Sequence, residues 1–78
     1  MNPIKQVREK AGLTRNELSK VAGVGYSTIA SLEKGRQNSI NENVLQALEQ
    51  LGQEPDKLKA EYEQYRENEK KAILQKIN

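Results

Sequence analysis

The 78-residue chain has no cysteine and no histidine, and its aromatic residues are three tyrosines. Without cysteine there is no disulfide framework and no thiolate chemistry. Without either residue the usual zinc ligands, the commonest general base and every triad built on histidine are missing. Neither catalysis nor a bound metal or cofactor is therefore expected. No stretch approaches the roughly 18 apolar residues of a membrane span, and the start MNPIKQVREK lacks the apolar centre of a signal peptide. These absences predict a cytoplasmic chain with no membrane partner.

Hydrophobic residues make up 35% of the chain and charged ones 31%. With so few aromatic and β-branched residues, strands are a poor fit, and one small all-helical domain suits both composition and length. The net charge of +2 conceals an asymmetry. Residues 1–40 carry seven basic residues (Lys5, Arg8, Lys10, Arg15, Lys20, Lys34, Arg36) against three glutamates, a balance of +4. Residues 41–78 carry six basic and eight acidic residues, a balance of −2. The positive half is the candidate for an anionic partner.

Helix punctuation recurs along the chain. Asn2 and Pro3 supply a cap and a proline at the first helical position, Ile4, Val7 and Ala11 an apolar stripe, and Gly12 a stop, so a first helix is predicted at about residues 3–11. In LTRNEL, Thr14 and Glu17 form a capping box, bracketed by Leu13 and Leu18 as a hydrophobic staple. The second helix is read with Leu18, Val21 and Ala22 on its inner face and stops at Gly23. Val24 and Ile29 repeat the staple around a cap at Gly25, and Gly35 ends the third helix. Two short helices at about 14–22 and 25–34, joined by a tight turn containing glycine, describe a helix-turn-helix. Ser39 or Asn41 caps a fourth helix with Val44, Leu45, Leu48 and Leu51 on one face, and Glu54–Pro55 starts a fifth. The predicted fold is all-α, a compact bundle of four short helices plus a long C-terminal helix, divided into a domain at 1–58 and an extension at 59–78.

On a wheel of about 100° per residue with Ile29 at the centre of the buried face, Leu32 and Glu33 fall inward while Ser27 and Ser31 lie near the opposite pole. The outward set is Tyr26, Ser27, Ala30, Ser31 and Lys34, flanked by Thr28. GVG at 23–25 follows no strand and precedes no P-loop lysine, so a nucleotide site is not expected.

The run GLTRNELSxxAGVGYSTIASLEKG, residues 12–35, resembles the helix-turn-helix of the phage-repressor and Cro family, also called the XRE family. With Asn38 and the Leu51–Gly52 pair, the likeness covers residues 4 to about 58. It implies double-stranded DNA as partner, with the third helix in the major groove, the start of the second on the phosphate backbone, and a dimer on a near-palindromic operator. On that reading Tyr26, Ser27 and Ser31 approach base edges, Thr14, Arg15, Thr28 and Lys34 support the phosphate contact, and Arg36 and Asn38 grip the backbone beyond the helix. Two positions depart from the family: Arg15 stands where glutamine is frequent, and Gly25 where serine or threonine is frequent. Glu33 matches a position that often pairs with an arginine of the first helix, here Arg8, as a structural ion pair.

A fifth helix near 32 Å long exceeds what the four-helix body needs. Its residues Tyr62, Tyr65, Ile73, Leu74 and Ile77 are expected to contact a second subunit or another protein. The leading expectation is a homodimeric repressor. The alternative is an antitoxin that uses the helix-turn-helix for autoregulation, and a toxin, an antirepressor or polymerase is the corresponding protein partner.

Overall fold

A computed structural model describes residues 1–77, which form five helices: α1 (Pro3–Lys10), α2 (Arg15–Ala22), α3 (Tyr26–Glu33), α4 (Glu42–Gln50) and α5 (Pro55–Ile77). Each start has a chemical cause. The Asn2 side-chain oxygen accepts from the Ile4 and Lys5 amides at 2.9 and 3.1 Å, filling two of the donors that an α-helix leaves open at its first turn. At α2 the Glu17 amide donates to Thr14 Oγ1 at 3.1 Å while the Thr14 amide donates to Glu17 Oε1 at 2.8 Å, so the expected capping box is present. Asn41, rather than Ser39, caps α4, accepting from the Asn43 amide at 2.8 Å.

The turn between α2 and α3 depends on Gly23, whose φ of 69° places it in the left-handed region. A side chain there would meet its own backbone, whereas glycine lets the chain reverse at once and enter α3 at Tyr26. The Val24 amide then closes on the Ser19 carbonyl at 3.0 Å. Leu13 and Val24, the outer halves of the two staples, pack partly buried against the core that contains Leu18 and Ile29.

The helices close a ring, with α1 against α3 and α5, α2 against α3 and α4, and α4 against α5. Inside it lie Ile4, Leu18, Ile29, Leu32, Val44 and Leu48, all fully buried, with Leu45, Ala47, Leu58 and Tyr62 beside them. Each large side chain in that set contributes about 1.5–3 kcal/mol of burial. Ile40 is also buried, although the polar residues around it conceal it in the sequence.

Two expectations are corrected. Val21 is 54% exposed, and Ser19 takes its place inside, its hydroxyl donating to the Asn16 carbonyl at 2.7 Å. The buried arc of α2 runs through Leu18, Ser19 and Ala22, which leaves Val21 roughly 110° from its centre. Tyr62 is not available to a partner subunit either. It is 2% exposed within this chain's own core, and its hydroxyl donates to the Gln37 carbonyl at 2.9 Å. Burial pushes its phenol pKa up, which keeps it a neutral donor.

The first three turns of α5 thus cover the body, and the expected division after residue 58 falls inside a continuous helix. Residues 67–77 are all exposed. At 23 residues the helix is about 34 Å long, and it gives the molecule its 42 Å long axis. No helix among the described residues is long and apolar enough to cross a membrane.

Candidate nucleic-acid interface

The interface begins from a buried charge. The side chain of Glu33, at the last turn of α3, has no solvent exposure and meets two guanidinium groups. Arg8 of α1 grips it with a fork, Nε to Oε2 at 2.7 Å and Nη2 to Oε1 at 3.1 Å, while its Nη1 donates to the Leu13 carbonyl at 2.8 Å. This is the expected ion pair. Arg15 joins it from the start of α2, Nε to Glu33 Oε1 at 3.0 Å. Burial alone would push the Glu33 carboxyl up, but hydrogen bonds from Arg8 and Arg15 outweigh it and hold the group below its ordinary value of 4.5.

Arg15 is consequently more than a free phosphate hook. Its side chain is 32% exposed, and its charged form is favoured first by the Tyr26 hydroxyl and then by Glu33. One arginine therefore ties the first residue of α2 to the last turn of α3. That lock fixes the angle at which α3 is presented, while the outer edge of the guanidinium remains in solvent.

Along α3, Tyr26 is 51% exposed, Ser27 is exposed, and Thr28, Ala30 and Ser31 are half-buried. The N-cap Gly25 makes no side-chain cap, and its φ of −72° is open to any residue. A Cβ built there would meet nothing nearer than Ser27 Oγ at 3.8 Å, so neither backbone geometry nor internal packing calls for glycine. Thr14 at the start of α2 and Lys34 at the end of α3 are exposed. The Thr14 oxygen is the cap acceptor for the Glu17 amide.

Beyond α3 the segment 34–41 carries Arg36 and Asn38, both exposed. Sequence reading missed what holds this segment in place, which is Arg66 of α5. Its Nε donates to the Gly35 carbonyl at 3.1 Å, its Nη1 to the Asn38 carbonyl at 3.4 Å and its Nη2 to Asn38 Oδ1 at 3.2 Å. A signal existed: Arg66 lies one helical turn after the core residue Tyr62 and so faces the body. Tyr65, expected at a subunit contact, is half-buried and lies over Gly35, where a Cβ would come within 2.9 Å of its ring. Ile73, Leu74 and Ile77 are 56%, 50% and 74% exposed, an uncovered apolar group at the end of α5.

The resulting surface combines a small, hydroxyl-bearing helix face with cationic groups at both ends, Arg15 before it and Lys34 and Arg36 after it. Polar donors without a buried pocket suit an extended anionic ligand rather than a small molecule. Residues 4–56 match the family described as helix-turn-helix. The chain is also 43% identical over 47 residues to a glutamine–fructose-6-phosphate aminotransferase (isomerizing) of Methanocaldococcus jannaschii, a stretch that spans 60% of this chain and 4% of that protein. No solved structure matches the chain.

Proposed function

Because the chain belongs to the XRE-type helix-turn-helix family of DNA-binding transcriptional regulators, we propose that it is a repressor that binds a near-palindromic operator as a dimer, with α3 in the major groove. The observation that supports this most directly is the face of α3 itself: polar, free of internal cover at Tyr26 and Ser27, and bounded by Arg15, Lys34 and Arg36. Tyr26, Ser27 and Ser31 are assigned to base edges, Thr14, Arg15, Gly25, Thr28 and Lys34 to the approach to phosphate, and Arg36 and Asn38 to the strand beyond. We read the protein as cytoplasmic, where an operator is reached, and as bacterial, phage or plasmid encoded by its family likeness.

The centre of this helix has no arginine, glutamine or asparagine, so the bidentate base contacts worth about 1–3 kcal/mol are missing there. Short side chains and the bare Gly25 instead favour close approach, thymine-methyl contacts, bridging water and DNA shape. Tyr26 is the one large reader. Selection from a randomised duplex library tests the proposal: one enriched, inverted-repeat site with affinity falling steeply with salt is expected, and no enriched site or no salt dependence would end it. On the selected site Tyr26→Ala is expected to narrow the difference between operators, by about 1–3 kcal/mol at the base pair it reads. Arg36→Ala is expected to weaken all sequences alike and to lower the salt slope by about 0.9. Unchanged discrimination in Tyr26→Ala would move the reading role elsewhere.

For the dimer, Ile73, Leu74 and Ile77 are the assigned contacts, with Tyr65 at their margin. Deleting residues 67–78, which removes the exposed part of α5 at 67–77 and leaves Tyr62 and Arg66 in place, is expected to cut the mass seen by light scattering to less than half. A wild type that is already monomeric, or a truncated form that stays dimeric, defeats the assignment. A monomeric wild type favours the second reading that the same exposed residues support, a tail that holds a different protein, as in an antitoxin.

A further inference from the structure

Residues 35–38 lie between α3 and α4, and three side chains from two successive turns of α5 act on them. Tyr65 covers Gly35, which at φ 71° has no Cβ to obstruct the ring. Tyr62 takes the carbonyl of Gln37, and Arg66 takes those of Gly35 and Asn38. Three of the four carbonyls in this short segment are drawn toward α5. Arg36, Gln37 and Asn38 remain exposed.

The contact that matters most is to a side chain. Arg66 Nη2 donates to Asn38 Oδ1 at 3.2 Å, which takes one lone pair of that oxygen and turns it toward α5. On the side away from Arg66 the carboxamide presents its NH2 group, which is only a donor. A free asparagine rotates between presenting oxygen and presenting nitrogen. This one is fixed with its oxygen toward Arg66 and its nitrogen outward, which suits a phosphate oxygen.

We propose that Arg66 is a positioning residue for the DNA interface: without touching DNA, it holds residues 35–38 and orients the Asn38 carboxamide so that its NH2 meets the phosphate backbone. The assignment rests on the DNA-binding reading and adds to it a residue on α5, outside the helix-turn-helix. The planar guanidinium is required because it reaches two carbonyls and a side-chain oxygen with separate N–H groups in one fork, which the single ammonium of lysine does not reproduce.

The test uses the full chain, the selected operator duplex and fluorescence anisotropy over a range of salt, at a temperature where circular dichroism shows each variant folded. Arg66→Met is expected to bind roughly tenfold or more weakly, as for a hydrogen bond to a charged group. Its salt slope is expected to match wild type, because no ion pair with DNA has been removed. Arg66→Lys keeps the charge and should bind as poorly as Arg66→Met. In an Asn38→Ala background the further loss from Arg66→Met should be smaller than in wild type, since the contact to the Asn38 side chain is already gone.

The proposal fails if Arg66→Lys binds like wild type, if the salt slope of Arg66→Met falls by about 0.9 as for a direct phosphate contact, or if the losses at Arg66 and Asn38 simply add. Unchanged affinity in Arg66→Met also overturns it. A wild-type protein that binds no duplex at all defeats the DNA reading itself, which is a separable result.

Discussion

Replacing Arg8 with alanine is expected to lower the stability of the domain by about 3 kcal/mol and its melting temperature by more than about 10 °C. The Glu33 carboxylate has no exposed side-chain surface, and Arg8 supplies two of the three side-chain hydrogen bonds it accepts. Breaking one side of a buried pair commonly costs about 3–5 kcal/mol, and the lower figure applies because Arg15 stays on the carboxylate. A chain of this size has about 4–12 kcal/mol in total, so the loss takes a quarter or more of its stability. The Leu13 carbonyl, held by Arg8 at 2.8 Å, loses its partner as well. Thermal and urea unfolding followed by circular dichroism measure the loss. In the cold, where the variant stays folded, its order of preference among operators should be unchanged. A shift below about 1 kcal/mol, the scale of an exposed ion pair, would show that the network is an ordinary surface contact.

The same carboxylate sets a pH dependence. Its folded-state pKa lies below its ordinary 4.5, so the unfolded chain takes up the proton first as pH falls. The contribution from Glu33 is fully present above that value and is lost as the pH drops below 4.5 through the folded-state pKa. Glu17, held down by the Thr14 backbone amide and hydroxyl of the capping box, adds in the same direction. Melting temperature should therefore stay level from neutral pH to about 5 and decline below it. Glu33→Gln should flatten that decline as well as lower the plateau, and an acid-dependence of wild-type size in this variant would remove Glu33 as its source.

Asn2 carries the second large effect, and here the chemically closest replacement is expected to be the worst. All four hydrogen-bonding positions of its carboxamide are used: the oxygen caps α1 at Ile4 and Lys5, and the nitrogen donates to the Leu32 and Glu33 carbonyls at 2.9 Å each. The amide orientation follows from its neighbours, because amides need an acceptor on one side and carbonyls a donor on the other. Asn2→Ala loses a cap worth about 0.5–2 kcal/mol and leaves a buried carbonyl at Glu33 unpaired for about 1–3 more, roughly 1.5–5 in sum. Asn2→Asp keeps the cap, at which aspartate equals asparagine, yet points a charged oxygen at two carbonyl oxygens. It should unfold more readily than Asn2→Ala at pH 7. If Asn2→Asp is instead as stable as wild type, Asn2 is an ordinary helix cap and the bridge to α3 carries no weight.

Asn2 also shows where sequence reading stops. As a cap before Pro3 it was legible, because a cap acts on amides within three residues of itself and its chemistry is local. The same holds for the capping box at Thr14 and Glu17, the stops at Gly12, Gly23 and Gly35, and the inward turn of Glu33 against the outward turn of Tyr26 and Ser27. These devices determined five helices and their order, and they placed the third helix with a polar face outward. Buried Ile40 and exposed Val21 escaped this reading, since each depends on which neighbour covers it.

What the tertiary structure alone decided are the contacts that cross the chain: Asn2 to residue 33, Arg15 to Glu33, Tyr62 to Gln37 and Arg66 to Asn38, at separations of 31, 18, 25 and 28 residues. In each the residue type permits many partners, and only closure of the helix ring selects one. Arginine forks and carboxamides bond to whatever acceptor packing brings within about 3 Å, and no periodicity in the chain encodes that choice. Local chemistry sufficed for a helix that turns hydroxyls outward. Which arginine locks that helix in place, which tyrosine lies in the core and which α5 side chain holds the loop beside it were settled by packing, because those pairings exist only once five helices share one interior.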